Sequence, residues 1–150
     1  MTNQASFEHY FAPLMPILSS RRSPNQAFIE SPLKFWVIVT IGSRKCVEDP
    51  TLFTTLSPHV EALAMKSLCL GWTSPYPIIE GLLLMCTWHL STDRIFFRTI
   101  YCALSGAVVT LTLHAGMHSC FSLQGVVSGT PSDVARGAKL WAYAVISNQR

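Results

Sequence analysis

Charged residues are scarce in this chain of 150 residues. Asp, Glu, Lys and Arg make up 13% of the sequence, about half of their usual share in soluble globular proteins. The net charge is only +3, and the nearest approaches to basic clusters are Arg21 with Arg22 and Arg44 with Lys45. Because contact with a phosphate backbone needs a broad basic patch, we predict no direct nucleic-acid binding by this chain.

The sequence also lacks the established catalytic motifs. It contains no GxSxG, no HExxH, no phosphate-binding P-loop and no GxGxxG. Glu48 and Asp49 form the one adjacent pair of carboxylates, and their place before a proline suits a helix N-terminus, as does that of Glu80. We therefore predict a protein that is not an enzyme, with no catalytic and no cofactor-binding residue.

The five cysteines include no CxxC pair and are odd in number. This pattern favours reduced, mostly buried thiols in a reducing compartment. The best metal-ligand candidates are His114, His118 and Cys120, but Gly116 lies between the histidines and favours a helix end there. We predict a structural role for these residues, no metal ligand, and no cofactor in the chain.

A membrane span is an alternative, because no charged residue lies between Arg98 and Asp133. The purely apolar part of this window runs only from residue 100 to 113, which is shorter than the roughly 20 residues that a span needs. The N-terminal MTNQASFEHY also lacks the features of a secretory signal. We therefore expect no membrane partner.

Helix starts recur along the chain, since Ser, Thr or Asp precedes proline at residues 23, 31, 49, 57, 74 and 130. Strand signals are weak. The pattern predicts an all-α, irregular multi-helix bundle of seven or eight helices, over 5–15, 24–30, 32–45, 50–56, 58–70, 77–90, 94–115 and 131–148. The last helix follows a capping box formed by Thr130 and Asp133 and buries one apolar face.

The helix predicted over 94–115 is expected to be central. Ala103 and Gly106 would let a neighbouring helix approach closely, and Gly116 is placed to end the helix in a left-handed conformation. Trp72, Trp88 and His89 lack interleaved basic residues, so we interpret them as core and rim aromatics rather than a base-stacking platform.

Six co-linear motifs carry a resemblance to a known family: HYFAPLMPIL at 9–18, ESPLKFWVIVTIGSRK at 30–45, DPTLFTTLSPHVEALA at 49–64, IIEGLLLMCTWHL at 78–90, LSGAVVTLTLHAGMH at 104–118 and ARGAKLWAYAVISNQ at 135–149. Together they resemble the middle homology region of fungal zinc-cluster transcription factors, nearest to the branch with regulators of protease genes. The resemblance implies an α-helical, non-catalytic regulatory domain of a nuclear protein.

The chain departs from that family in three respects. It lacks the six-cysteine zinc cluster, Ser119 stands where the family has an arginine, and the domain ends early. We therefore expect residues 1–150 to be a partial regulatory domain, from a fragment or a truncated gene product, with DNA binding and zinc belonging to the absent cluster.

The expected function is transcriptional regulation. The expected partners are other proteins, or a second copy, bound through apolar helices, together with a small-molecule effector. The alternatives are a small helical membrane protein and a small-molecule enzyme that uses a titratable pair such as His114 and Cys102. We also expect the isolated chain to be poorly self-sufficient, because its helices are apolar on most faces.

Overall fold

A computed structural model describes residues 3–15, 23–69, 74–90, 94–121 and 131–149. Within these ranges the fold is all-α, as predicted, and has no strand. Two short 3-10 turns, Ala12–Leu14 and Met117–Phe121, accompany seven α-helices. The helices are α1 (Asn3–Tyr10), α2 (Pro24–Glu30), α3 (Pro32–Ser43), α4 (Leu52–Cys69), α5 (Tyr76–Thr87), α6 (Arg94–His114) and α7 (Pro131–Asn148).

Helices α3 and α5 pack against each other at the centre of the bundle. Helix α3 also contacts α1, α2 and α4, whereas α5 contacts α6 and α7. Nine of the twelve residues of α5 are buried. The prediction that 94–115 forms the central helix is therefore wrong, because α6 lies at one side and exposes Cys102, Thr110 and Leu113.

Serine caps begin two helices where the sequence predicts them. Ser23 Oγ accepts a hydrogen bond from the Gln26 amide at 3.4 Å, and Ser31 Oγ accepts one from the Lys34 amide at 3.2 Å. Each serine satisfies one of the amides that a helix leaves without an internal acceptor. The capping box predicted at Thr130 involves a residue outside the described ranges, although α7 begins at Pro131 as expected.

Pro58 does not begin a new helix, so the prediction of separate helices over 50–56 and 58–70 is wrong. Helix α4 is continuous from Leu52 to Cys69, with Pro58 inside it. Ser57 Oγ donates a 2.6 Å hydrogen bond to the Phe53 carbonyl beside the proline. Val60 and Ala64, which follow the proline, are buried in the core. Because the helix buries these side chains, tertiary packing outweighs the local cost of an interior proline.

The structure confirms the predicted role of one glycine, Gly116, and contradicts that of another, Gly106. Gly116 has φ of +70°, which confirms the left-handed helix end expected after α6. Gly106 faces open space, since a Cβ built there would meet nothing within 4 Å, and Ala103 is exposed, so the predicted close approach at these two residues is wrong. The close approach occurs instead at Gly81, where a Cβ would lie 3.3 Å from the Lys34 Cα.

The thiols are less buried than predicted. Among the cysteines whose side chains are described, only Cys86 is buried, whereas Cys46 is half-buried and Cys69 and Cys102 are exposed. Burial raises the pKa of the Cys86 thiol to about 12. In the described part of the chain, no helix combines the length and apolar character that crossing a membrane requires.

Candidate functional site

A fully buried carboxylate lies at the junction of three helices. Glu80, on α5, has no exposed side-chain surface. Its Oε2 accepts a 2.6 Å hydrogen bond from Lys34 Nζ on α3. Its Oε1 accepts two hydrogen bonds from Arg136 on α7, from Nε at 2.9 Å and from Nη2 at 2.6 Å. We call Lys34, Glu80 and Arg136 the buried ion triad.

The surroundings of the triad hold its side chains in place. The Arg136 guanidinium lies 5.0 Å from the centre of the Tyr76 ring, which is a cation–π contact within α5's first turn. The Ser31 cap fixes the start of α3 at Lys34, and Gly81 lets α3 and α5 approach closely beside Glu80. The Tyr76 ring, the Ser31 cap and Gly81 thus all help to position the side chains around Glu80.

The triad corrects the interpretation of Glu80 as a helix-capping residue. Two cations face one anion, so both carboxylate oxygens are satisfied and the cluster carries a net positive charge. Removing the acid would leave charges buried without a partner, which costs several kcal/mol, whereas the intact cluster contributes much less. Its clearest consequence is specificity, because Glu80 is paired with both cations only when α3, α5 and α7 meet in one arrangement.

A second polar cluster joins α4 to α6 and the end of α5. The Tyr101 hydroxyl, on α6, accepts a 2.7 Å hydrogen bond from the Leu90 amide and donates to Glu61 Oε1 at 3.3 Å. Burial raises the pKa of Glu61, and the hydrogen bond from Tyr101 offsets part of that rise. The His89 ring packs against Tyr101 with an edge-on geometry.

Arg44 contributes to packing as well as to surface charge. Its guanidinium donates a hydrogen bond to the His89 carbonyl and lies 4.6 Å from the centre of the Phe53 ring. Burial lowers the pKa of Arg44. Arg44 therefore joins the C-terminal end of α3 to α4 and to the residues that follow α5.

The candidate metal ligands do not form a described cluster. His114 ends α6 and His118 lies in the following 3-10 turn, where its ring is 6.1 Å from that of Trp141. The side chain of Cys120 is outside the described set. Among the described residues, no three His, Cys, Asp or Glu side chains are grouped to hold a metal ion.

The alternative enzyme pair is not brought together. Cys102 and His114 are twelve residues apart on the single helix α6, which separates them by about 18 Å at 1.5 Å per residue. Both side chains are exposed. Since acid–base or nucleophilic catalysis needs partners within hydrogen-bonding reach, this pair cannot act as one catalytic unit in this fold.

The aromatic residues divide between core and surface. Trp88 packs edge-on against Phe7 and Phe11, with ring centres 6.0 and 5.8 Å away, which confirms its interpretation as a core or rim residue. Trp72 is outside the described ranges. On α2 and α3, Phe28, Ile29 and Trp36 are 44%, 80% and 37% exposed, and Phe35 packs edge-on against both Phe28 and Trp36. We call the three exposed side chains the α2–α3 apolar patch.

Sequence reasoning missed the buried ion triad. The available signal was Glu80 itself, a lone charge within the apolar run from Pro77 to Cys86, where an unpaired carboxylate would be costly. Its partners could not be read from spacing, because they lie 46 and 56 residues away along the chain. Among the described residues, the arrangement joins helices and offers no catalytic geometry.

Comparison with known proteins finds similarity to yeast transcription factors. Over 108 residues the chain is 28% identical to Putative transcription factor SEF1 of Kluyveromyces lactis. The aligned segment covers 72% of this chain and 9% of that protein. The proteins of the same name in Eremothecium gossypii and Saccharomyces cerevisiae are 25% identical over 114 residues and 24% identical over 110 residues. These matches cover 75% and 72% of this chain.

The similarity covers most of this chain but only a small part of each relative. The chain spans about a tenth of the length of these relatives, with 9 to 10% of each covered. No family model matches the chain, and no solved structure matches it. The similarity is therefore a distant homology to one segment of long proteins that are named as transcription factors rather than enzymes.

Proposed function

We propose that this chain is a regulatory helical segment of a transcription factor, and that it acts without catalysis. The observation that carries the proposal is the similarity over more than a hundred residues to three proteins named as transcription factors. The all-α architecture and the resemblance of six co-linear motifs to the middle homology region of zinc-cluster factors support it. The proposed location is the nucleus.

In this proposal the chain regulates by protein contact. DNA recognition and zinc belong to a six-cysteine cluster, for which the sequence has no counterpart. The α2–α3 apolar patch provides exposed apolar surface through which another protein, or a second copy, could bind. A small-molecule effector that changes this contact is part of the proposal, and the effector's chemistry is left open.

The buried ion triad supports a scaffold role in preference to an enzyme. It places a fully buried carboxylate and its two cationic partners between helices, where they join α3, α5 and α7. A regulatory scaffold needs a defined arrangement of helices, which such a cluster specifies.

A tethered reporter tests the proposal. A heterologous DNA-binding module is joined through this chain to a constitutive activation region, and a flexible spacer of equal length replaces the chain in the control. We expect the chain to lower reporter transcription relative to the spacer, at equal protein level in the nucleus. Equal transcription from the two chimeras would contradict a regulatory role.

A further inference from the structure

Helices α3 and α5 approach each other closely beside the buried ion triad. A Cβ on Gly81 would approach the Lys34 Cα to 3.3 Å, so a side chain there would require the α3 backbone to shift by a few tenths of an ångström. The neighbouring Glu80 carboxylate accepts a 2.6 Å hydrogen bond from Lys34. With most of α5 buried, this pair can separate only if the core opens.

Helix α7 contacts α6, the Met117–Phe121 turn and α5, but it buries a smaller fraction of its residues than α5 does. Only three of its eighteen residues are buried, namely Gly137, Leu140 and Ala144, and two of these have almost no side chain. Trp141 is half-buried against the core. Segments that bury little apolar surface open locally at a lower free energy than the core, so α7 is expected to open more readily than α5.

The charge balance of the triad permits such a release. Arg136 occupies Oε1 of Glu80, and Lys34 independently occupies Oε2. If Arg136 leaves, Lys34 still neutralises the carboxylate, so the core keeps no unpaired charge. The exposed fractions of the two cations also favour the release of Arg136 over that of Lys34. The Arg136 side chain is 26% exposed and can rehydrate, whereas that of Lys34 is 11% exposed.

We propose that α7 is a detachable helix, held to the α3–α5 pair by Arg136 and released as a unit while Lys34 keeps Glu80 paired. Release uncovers the surfaces of α5, α6 and the Met117–Phe121 turn that α7 contacts. This gives the fold a built-in two-state element that does not require the core to unfold. The inference concerns the chain's own energetics and does not depend on the proposed role in transcription.

Amide hydrogen exchange of the full chain, read by mass spectrometry of peptides from each helix, tests the inference. In the wild-type chain we expect α7 amides to exchange at least about tenfold faster than α5 amides, after correction for intrinsic rates. Arg136→Gln should accelerate exchange in α7 by about a further tenfold and leave α5 unchanged. Lys139→Gln, which removes an exposed cation from the same helix, should change neither.

The core variant gives the opposite pattern. Lys34→Met leaves the α3–α5 pair without its own ion pair, so exchange should rise in α3, α5 and α7 together. Matched exchange of α7 and α5 in the wild-type chain would overturn the inference. So would an equal acceleration of both helices by Arg136→Gln, and the wild-type comparison decides even where a variant fails to fold.

Discussion

Replacing Glu80 by glutamine should cause the largest loss of stability of any isosteric change in the described core. Glutamine keeps the shape of the side chain but removes the charge that faces Lys34 and Arg136. Breaking a buried ion cluster by removing one partner costs about 3–5 kcal/mol. We assign most of this cost to Lys34, because its side chain is 11% exposed and that of Arg136 is 26% exposed.

Thermal and urea unfolding followed by circular dichroism measure this loss. For a chain of this length, about 3–5 kcal/mol corresponds to a decrease in Tm of about 6–20 °C. Glu48→Gln is the matched control, since the same change at an exposed position should alter the free energy of unfolding by less than about 0.5 kcal/mol.

A triple variant separates the cost of an unpaired charge from the loss of side-chain volume. The change Lys34→Met, Glu80→Leu and Arg136→Met replaces the whole triad with apolar side chains of similar size. Because a buried ion cluster and a well-packed apolar substitute are often similar in free energy, this variant should regain most of the stability lost in Glu80→Gln. Wild-type stability for Glu80→Gln, or no recovery in the triple variant, would refute the reasoning.

Three further predictions use other observations. Gly81→Ala should destabilise the chain by about 1–3 kcal/mol, because its Cβ would press on the α3 backbone, whereas Gly106→Ala, facing open space, should stabilise it by about 0.4–1 kcal/mol in the same urea titrations. Thr40→Val should leave stability unchanged or raise it by about 1 kcal/mol, because the buried Thr40 hydroxyl has no hydrogen-bond partner among the residues that the structure describes; a loss above that size would reveal a partner outside them. In native alkylation near neutral pH, Cys86 should react far more slowly than the exposed Cys69, because its thiol is buried and has a pKa of about 12; equal rates would contradict the burial.

The sequence predicts the helices better than it predicts their contacts. Local signals are enough for α2 and α7, whose described bounds match the prediction, and for the Ser31 cap and the end of α6 at Gly116. These features depend on residues within one or two turns, where spacing and backbone preference dominate.

The features that failed depend on long-range packing. Pro58 reads locally as a helix start, yet α4 continues through it because residues on both sides reach the core. Gly81, rather than Gly106, marks the close helix contact, and only the position of α3 decides between them. Glu80 looks like a capping residue until Lys34 and Arg136 are brought to it from distant parts of the chain.

The most direct test of a regulatory scaffold compares reporter transcription from three tethered chimeras that differ only within this chain. The account predicts that the wild-type chain lowers transcription, that Glu80→Gln weakens this lowering to the extent that it unfolds the bundle, and that the triple variant restores it. Equal transcription from the wild-type and Glu80→Gln chimeras, at equal protein level and with Glu80→Gln shown to be unfolded, would contradict the claim that the folded bundle regulates transcription.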